Sequence, residues 1–215
     1  MSERCRVAVL VSGAGTNLES LLRACKSGSL PADVVLVVSN RRDAVALDIA
    51  RRWEVRAVAM PLPNFGGDLQ ARDRAMRDCF RQAGAGLVVC AGYNRILSDE
   101  FLDAFPDAVL NVHPSLLPAF AGGMDAVERA LALGVKVTGC TVQFLQPGEI
   151  DGGPIVLQAA VPVLPGDDAD TLRMRIHEQE WQLLPRAVEL WCAGRLQRDG
   201  RRVSILEAVP LTLGA

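Results

Sequence analysis

Short apolar runs, rich in β-branched residues, alternate along this chain with longer stretches in which apolar residues recur at helical spacing. The first run occupies residues 7–11 and is followed by the turn sequence Ser12-Gly13-Ala14-Gly15. Helical spacing then begins at Leu18 and ends at Gly28. A strand that is followed by a helix and a second strand needs a crossover connection, which places the two strands parallel in one sheet. The alternation therefore predicts an α/β fold.

The same pattern continues through the first half of the chain and changes in the second half. Strands are predicted at residues 7–11, 34–38, 55–59, 87–91 and 108–112, and helices at 18–28, 44–53, 69–82, after Ser98, at 126–133 and at 171–191. Two later runs, 135–144 and 155–163, alternate between apolar and polar residues and predict strands that pair antiparallel. Pro185 should kink the last helix or mark a join, and the last 25 residues hold only weak strand patterns. We expect a Rossmann-like open, mostly parallel sheet with an antiparallel C-terminal portion.

Length and composition limit the class of protein. Half of the 215 residues are hydrophobic, which is enough for one sizeable core, so we expect a single domain over residues 1–215. With 23 basic and 25 acidic residues and no long basic run, the charge favours neither nucleic acid nor a membrane surface as a partner. The N-terminal apolar run is too short for a signal peptide, and the six cysteines form no C-x-x-C pair, so we expect a cytoplasmic protein with reduced thiols. Two distant histidines without an H-E-x-x-H motif predict no metal site.

The glycine-containing turn after the first strand has the features of a phosphate site. Gly15, Thr16 and Asn17 open a helix, whose N-terminus offers backbone amides and a positive dipole end to an anion. A dinucleotide fingerprint would need a third glycine where Leu18 stands, and no Gly-Lys-Ser/Thr follows to make a P-loop. The turn therefore fits one terminal phosphate better than a dinucleotide or a nucleoside triphosphate, with a tight turn that only glycine can make as the alternative.

The octapeptide N-V-H-P-S-L-L-P, residues 111–118, contains the polar pair best suited to chemistry. Asn111 and His113 alternate at the end of a predicted strand, so both side chains point to one side at an edge where α/β sheets bind ligands. Acyl transfer to an amine needs a donor to the developing oxyanion and a path for a proton, which an amide and an imidazole supply. Asp151 is a candidate carboxylate that would favour the charged imidazole and fix its ring. The alternatives are a strand-end histidine, a capping asparagine and an ordinary Asp-Gly turn.

Together with Asp151-Gly152-Gly153-Pro154-Ile155 and the run S-G-A-G-T-N-L, the octapeptide resembles the formyltransferase family that uses 10-formyltetrahydrofolate. The resemblance runs from about Val7 to Leu190. It implies transfer of a formyl group from that folate to the amino group of 5-phosphoribosylglycinamide, with Asn111, His113 and Asp151 as the catalytic set. It also implies that the glycine turn holds the ribose phosphate of the substrate.

The resemblance assigns further residues to the two ligands. Glu180 corresponds to a glutamate that contacts the ribonucleotide, while Asn111 and the segment Asn94, Arg95, Ile96 and Leu97 bind the folate. The phosphate-binding part would span about residues 5–110, and the folate and catalytic part about 87–195. Leu69 stands where the family has a folate-binding arginine, with Arg72 the nearest substitute, and Gln143 replaces a frequent histidine.

Other functions remain open from the sequence. A relative could transfer the formyl group to water, as a formyltetrahydrofolate deformylase does, or to an aminoacyl-tRNA. A module that binds a nucleotide through the glycine turn without catalysis is the alternative from another class. Small-molecule ligands, no metal, and a monomer or homodimer are the partners that we expect.

Overall fold

The computed structural model describes residues 4–207 and has a seven-stranded sheet flanked by helices. The strands are β1 (Cys5–Val11), β2 (Ala32–Ser39), β3 (Ala57–Ala59), β4 (Leu87–Cys90), β5 (Val109–His113), β6 (Val137–Phe144), β7 (Ile155–Pro162), β8 (Leu196–Asp199) and β9 (Arg202–Ile205). The helices are α1 (Thr16–Ser27), α2 (Val45–Arg52), α3 (Leu69–Gln82), α4 (Asp99–Asp103), α5 (Ala126–Ala132) and α6 (Ala169–Cys192), with a 3-10 turn at Leu62–Phe65.

The order of the strands determines where a ligand can bind. The sheet runs β3-β2-β1-β4-β5-β6-β7, and its first five strands are parallel. The order therefore reverses between β1 and β4, which leaves a crevice at the carboxyl ends of these two strands. Strands β6 and β7 continue the sheet in antiparallel pairing, and β8 and β9 form a separate hairpin.

Successive side chains of β1 point to opposite faces of the sheet and contribute to two hydrophobic cores, one on each face. Val7, Val9 and Val11 pack on one face with residues of α1, α2 and α6, while Ala8 and Leu10 pack on the other with residues of α3 and α4. Both faces are covered, which explains why β1 and β4 read as continuous apolar runs. A smaller cluster joins α5 and α6 to β6 and β7.

The structure confirms the predicted class and the antiparallel pairing of the two late strands, with boundaries shifted by at most two residues. The third strand is shorter than predicted, because residues 55 and 56 lie between the turn that follows α2 and the start of the strand. The prediction of a join at Pro185 is wrong, since α6 continues through it and lacks only the hydrogen bond that a proline cannot donate. The weak patterns near the C-terminus form the β8–β9 hairpin, and residues 208–215 lie outside the described part. Within residues 4–207, no helix combines the length and the apolar character that a membrane crossing requires.

Candidate active site

A cavity of about 640 Å³ opens at the crevice between the ends of β1, β4 and β5, a size that suits small molecules. Apart from Arg72, the residues that the sequence nominated for a site line it: Gly15, Thr16, Asn17, Asn94, Arg95, Ile96, Leu97, Asn111, His113, Asp151 and Glu180. The structure thus brings together side chains from five separate segments. The glycine turn follows β1, residues 94–97 follow the neighbouring strand β4, and Asn111 and His113 lie at the end of β5, the next strand of the sheet.

Close packing explains the glycine at the start of α1. Gly15 has a φ of 81°, and a Cβ there would lie 2.7 Å from Ala46 Cα of α2, so neither the conformation nor the space admits a side chain. The turn can therefore bring α1 close to α2 while its helix N-terminus faces the cavity. Backbone amides at such a terminus favour an anion.

Asn17 and Glu180 join the glycine turn to α6. Asn17 Nδ2 donates to Glu180 Oε2 at 2.8 Å, and both side chains are buried. Asn17 Oδ1 has no hydrogen-bond partner within the described part of the chain, although it is buried beside the cavity. A buried amide oxygen of this kind needs a donor, which a ligand can supply.

The carboxyl group of Glu180 ionises at a higher pH than that of an ordinary glutamate. Its removal from water raises its pKa from the ordinary 4.5 to about 7, and the hydrogen bond from Asn17 opposes this only in part. His177 Nε2 lies 3.9 Å from Glu180 Oε2, one turn earlier on the same helix. Burial lowers the pKa of His177, and the positive charge of Arg173 lowers it further. At this end of the cavity, Glu180 therefore changes its charge near neutral pH.

His113 is buried at the end of β5, and both of its ring nitrogens face oxygen atoms. Nδ1 lies 3.5 Å from Asp151 Oδ2, and Nε2 lies 3.2 Å from the carbonyl oxygen of Phe120. Both oxygens are acceptors, so only the charged ring can donate in both directions. The predicted convergence of the imidazole and the carboxylate, which lie on separate elements, is therefore observed.

Three contacts orient the Asp151 carboxylate. Oδ2 accepts from the backbone N–H of Gly122 at 3.0 Å, and Oδ1 accepts from Gln143 Nε2 at 3.3 Å, in addition to the approach to His113. Gln143 is available because β6 pairs with β5 and places it opposite Asn111. The residue that departs from the family pattern thus bonds to the candidate catalytic carboxylate.

Hydrogen bonds between strand ends fix the segment after β4. Ser12 Oγ donates to Asn40 Oδ1 at 2.6 Å, the backbone N–H of Asn94 donates to Ser12 Oγ at 2.9 Å, and Asn40 Nδ2 donates to Asn94 Oδ1 at 3.1 Å. The adjoining Ile96 is 61% exposed at the cavity, which makes it an apolar contact for a flat ligand.

Arg72 does not replace the family arginine, because it is 1% exposed and absent from the cavity wall. It donates from Nε and Nη2 to Asp73 Oδ1 at 3.0 and 2.7 Å, and from Nη2 to the carbonyl of Ile96 at 3.4 Å. Asp73 Oδ2 in turn accepts from the N–H of Ser98 at 2.7 Å. The pair therefore supports the segment after β4 from behind, and the suggestion that Arg72 contacts folate is wrong.

Sequence reasoning missed two residues of the cavity wall, His177 and Arg173. It treated His113 as the one histidine placed for chemistry, yet both histidines line the cavity. The signal was present: residues three and seven positions before Glu180 lie on the same face of a helix. Among the described residues, no three His, Cys, Asp or Glu side chains are grouped as a metal site requires.

Comparisons with known proteins agree with this geometry. A family model described as formyl transferase matches residues 5–188. A phosphoribosylglycinamide formyltransferase of Haemophilus influenzae is 40% identical over 192 residues, which are 89% of this chain and 89% of that protein. Another, from Mycobacterium tuberculosis, is 42% identical over 210 residues and covers 95% of both chains.

Solved structures give the same result. The crystal structure of glycinamide ribonucleotide transformylase 1 from Symbiobacterium toebii superposes with a TM-score of 0.92 at 46% identity, and the match covers 96% of each chain. The family model spans most of the chain, and the relatives match it over nearly their whole length. The chain therefore belongs to the formyl transferase family.

Proposed function

We propose that this protein transfers the formyl group of 10-formyltetrahydrofolate to the amino group of 5-phosphoribosylglycinamide, a reaction of purine biosynthesis. The observation that carries the proposal is the convergence of Asn111, His113 and Asp151 in a cavity whose other end is a helix N-terminus suited to a phosphate. The names of its relatives in bacteria support the same substrates. The reaction needs small molecules only, and we place it in the cytoplasm, in a monomer or homodimer without metal.

The ribonucleotide would bind at the glycine turn. Its phosphate would accept hydrogen bonds from the amides at the start of α1, in the part formed by about residues 5–110. A donor group elsewhere on the ribonucleotide would bond to Asn17 Oδ1. Glu180, which Asn17 holds in place, would contact the ribose hydroxyls or the amine. This arrangement aims the amine at the end of β5.

The folate would occupy the cavity between the segment after β4 and the loop that carries Asp151, within about residues 87–195. The backbone of residues 94–97 would hold its pterin, and Ile96 and Ile150, each 61% exposed, would contact its rings. Exposed aliphatic side chains that face a cavity fit such a ligand, because its burial removes their apolar surface from water.

The chemistry would be a direct attack without a covalent enzyme intermediate. The bond from the formyl carbon to the folate nitrogen breaks, a bond to the amine nitrogen forms, and the surplus proton of the amine passes to the folate nitrogen. Asn111 would donate to the oxygen as it gains negative charge, and His113 would stabilise it and carry the proton. Asp151 would orient the ring of His113 and balance its charge.

The proposal is tested by incubating the protein with 10-formyl-5,8-dideazafolate and 5-phosphoribosylglycinamide and following the loss of the donor by absorbance. Turnover that depends on the ribonucleotide supports it; turnover without the ribonucleotide indicates hydrolysis, and binding without turnover indicates a non-catalytic module. We expect His113→Ala to lower kcat about 10²- to 10⁴-fold, the range of general acid–base assistance.

The matched control is His177→Ala, which removes the other imidazole from the same cavity. Because His177 lies beside Glu180 at the ribonucleotide end, we expect this variant to raise the KM for the ribonucleotide and to change kcat by only a few-fold. A kcat of His113→Ala within a few-fold of that of the parent, in a protein that remains folded by circular dichroism, would refute the role of His113.

A further inference from the structure

The C-terminal hairpin, formed by β8, β9 and the turn between them, contacts the loop that carries the candidate catalytic carboxylate. This loop, residues 146–153, is called the Asp151 loop below. The hairpin lies beyond residues 5–188, the span that the family model matches. Arg198 of β8 donates to the side-chain oxygen of Gln146 at the start of the loop, and Arg201, which follows Gly200 at the hairpin turn, contacts residues on both sides of Asp151.

One guanidinium group holds the Asp151 loop on both sides of the aspartate. Arg201 Nη1 donates to Glu149 Oε1 at 3.0 Å and to Oε2 at 3.2 Å, and Arg201 Nη2 donates to the carbonyl oxygen of Gly152. The planar fork of an arginine can bridge two such acceptors, which the single ammonium group of a lysine does less well. Arg201 thus spans the four residues whose conformation determines where the Asp151 carboxylate points.

The other contacts hold the two ends of the loop and the side chain of Asp151, which accepts from Gly122 and Gln143. At the start of the loop, the N–H of Gly148 donates to Asp99 Oδ1 at 3.0 Å. At its end, Gly153 packs so closely on β6 that a Cβ would lie 1.9 Å from the carbonyl oxygen of Phe144. Between these two fixed points Asp151 has a φ of 50°, a left-handed conformation that its surroundings must maintain.

Of the three contacts of the Asp151 carboxylate, only the hydrogen bond from the N–H of Gly122, at 3.0 Å, has an ordinary length. The approach of the carboxylate to His113 is 3.5 Å, longer than an ordinary hydrogen bond, and its bond from Gln143 is 3.3 Å. A small displacement of the loop backbone would therefore change the distance to the imidazole. We propose that Arg201 is a positioning residue, which acts through the backbone of the Asp151 loop to keep the Asp151 carboxylate beside His113.

The exposure of the ion pair between Arg201 and Glu149 predicts that its loss will affect kcat more than global stability. The side chains of Arg201 and Glu149 are 68% and 37% exposed, and ion pairs at such sites contribute little to global stability. Misplacement of a catalytic group by a fraction of an ångström nevertheless slows chemistry, and a full ångström can cost about 100-fold. We expect Arg201→Ala to lower kcat about 3- to 10-fold, a part of that range, with the thermal midpoint nearly unchanged.

The inference rests on the proposed function for its kinetic test. Arg201→Ala, Arg201→Lys and the control Arg202→Ala are compared in the formyl-transfer assay, and amide hydrogen exchange is measured for residues 146–153. Arg202 is an exposed arginine at the next position, so its loss changes the net charge equally. We expect kcat to fall in Arg201→Ala without a rise in the KM for the ribonucleotide, to recover in part in Arg201→Lys, and to stay within about twofold in Arg202→Ala.

Hydrogen exchange separates this inference from the proposed function. We expect the loop amides to exchange faster in Arg201→Ala and at the parental rate in Arg202→Ala. If the parent turns over and Arg201→Ala retains its kcat, or if both variants lose activity equally, the positioning role is overturned whatever the exchange rates. If the parent does not turn over, the proposed function fails, and equal loop protection in the parent and Arg201→Ala then overturns the inference.

Discussion

Replacement of Glu180 by glutamine should make the protein more stable at alkaline pH and leave its stability nearly unchanged in acid. Glu180 is 3% exposed, and its burial raises its pKa to about 7. Glutamine has nearly the same shape as the protonated carboxyl group and cannot ionise. Its carbonyl oxygen can still accept from Asn17 Nδ2, while its NH₂ group can donate to the unpartnered Asn17 Oδ1.

The magnitude follows from the difference between the folded and unfolded pKa values. A rise from 4.5 to about 7 corresponds to about 3 kcal/mol, at 1.36 kcal/mol for each pH unit. Below pH 4.5 both states are protonated, and the group has no effect. Between pH 4.5 and 7 the folded state binds more protons than the unfolded state, so the parent loses stability as the pH rises. Above pH 7 the full penalty of about 3 kcal/mol applies to the parent and is absent from the variant.

Urea unfolding at several pH values between 4.5 and 8.5 measures this difference. The free energy of unfolding of Glu180→Gln minus that of the parent should grow by about 3 kcal/mol across the range, with most of the change below pH 7. The matched control is Glu178→Gln, which makes the same substitution at an exposed position on the same helix and should change stability by no more than about 0.5 kcal/mol at each pH. A difference that is constant with pH, or that shrinks as the pH rises, would show that Asn17 keeps the carboxylate ionised in the folded protein.

Two further substitutions test the supports of the site. Arg72→Met should lower the free energy of unfolding in urea by about 3–5 kcal/mol, because it leaves the buried Asp73 carboxylate without its cation, and addition of Asp73→Asn should recover part of the loss; no recovery would contradict the pairing. Gln143→Met, which keeps the volume but removes the donor to Asp151, should lower kcat roughly fivefold, since such a hydrogen bond is worth ~1 kcal/mol, and a parental kcat would show that this bond does not orient the carboxylate.

The fold could be predicted because its signals are local. The β-branched run at residues 7–11 is buried on both faces, so its composition alone identified a strand of a covered sheet. Ser98 was predicted to cap a helix, and its Oγ accepts from the N–H of Phe101 as a cap does. The join predicted as one alternative at Pro185 is absent because a local signal was overridden: packing of α6 against the sheet stabilises a helix that the proline weakens.

The nominated site residues could be collected from motifs, but their contacts could not. Arg72 lies in a charged amphipathic helix, and only the fold shows that it is enclosed with Asp73 behind the segment after β4. His177 and Gln143 have no motif of their own, since one depends on the face that α6 turns to the cavity and the other on the register of β6 against β5. Both the helix face and the strand register depend on tertiary structure, so neither helical nor strand periodicity in the sequence determines them.

The elements that carry the site differ in rigidity, and this difference suggests how the two ends of the reaction are controlled. Ser12, Asn40 and Asn94 tie together the ends of three adjacent strands, so the glycine turn and the segment after β4 keep a fixed separation. Buried networks in which the donors and acceptors are paired resist displacement. Asp151 instead depends on loop backbone, a strained φ and exposed contacts. Under the roles that we propose for Asp151 and His113, binding energy from both substrates would draw that carboxylate toward the imidazole and so accelerate the chemical step.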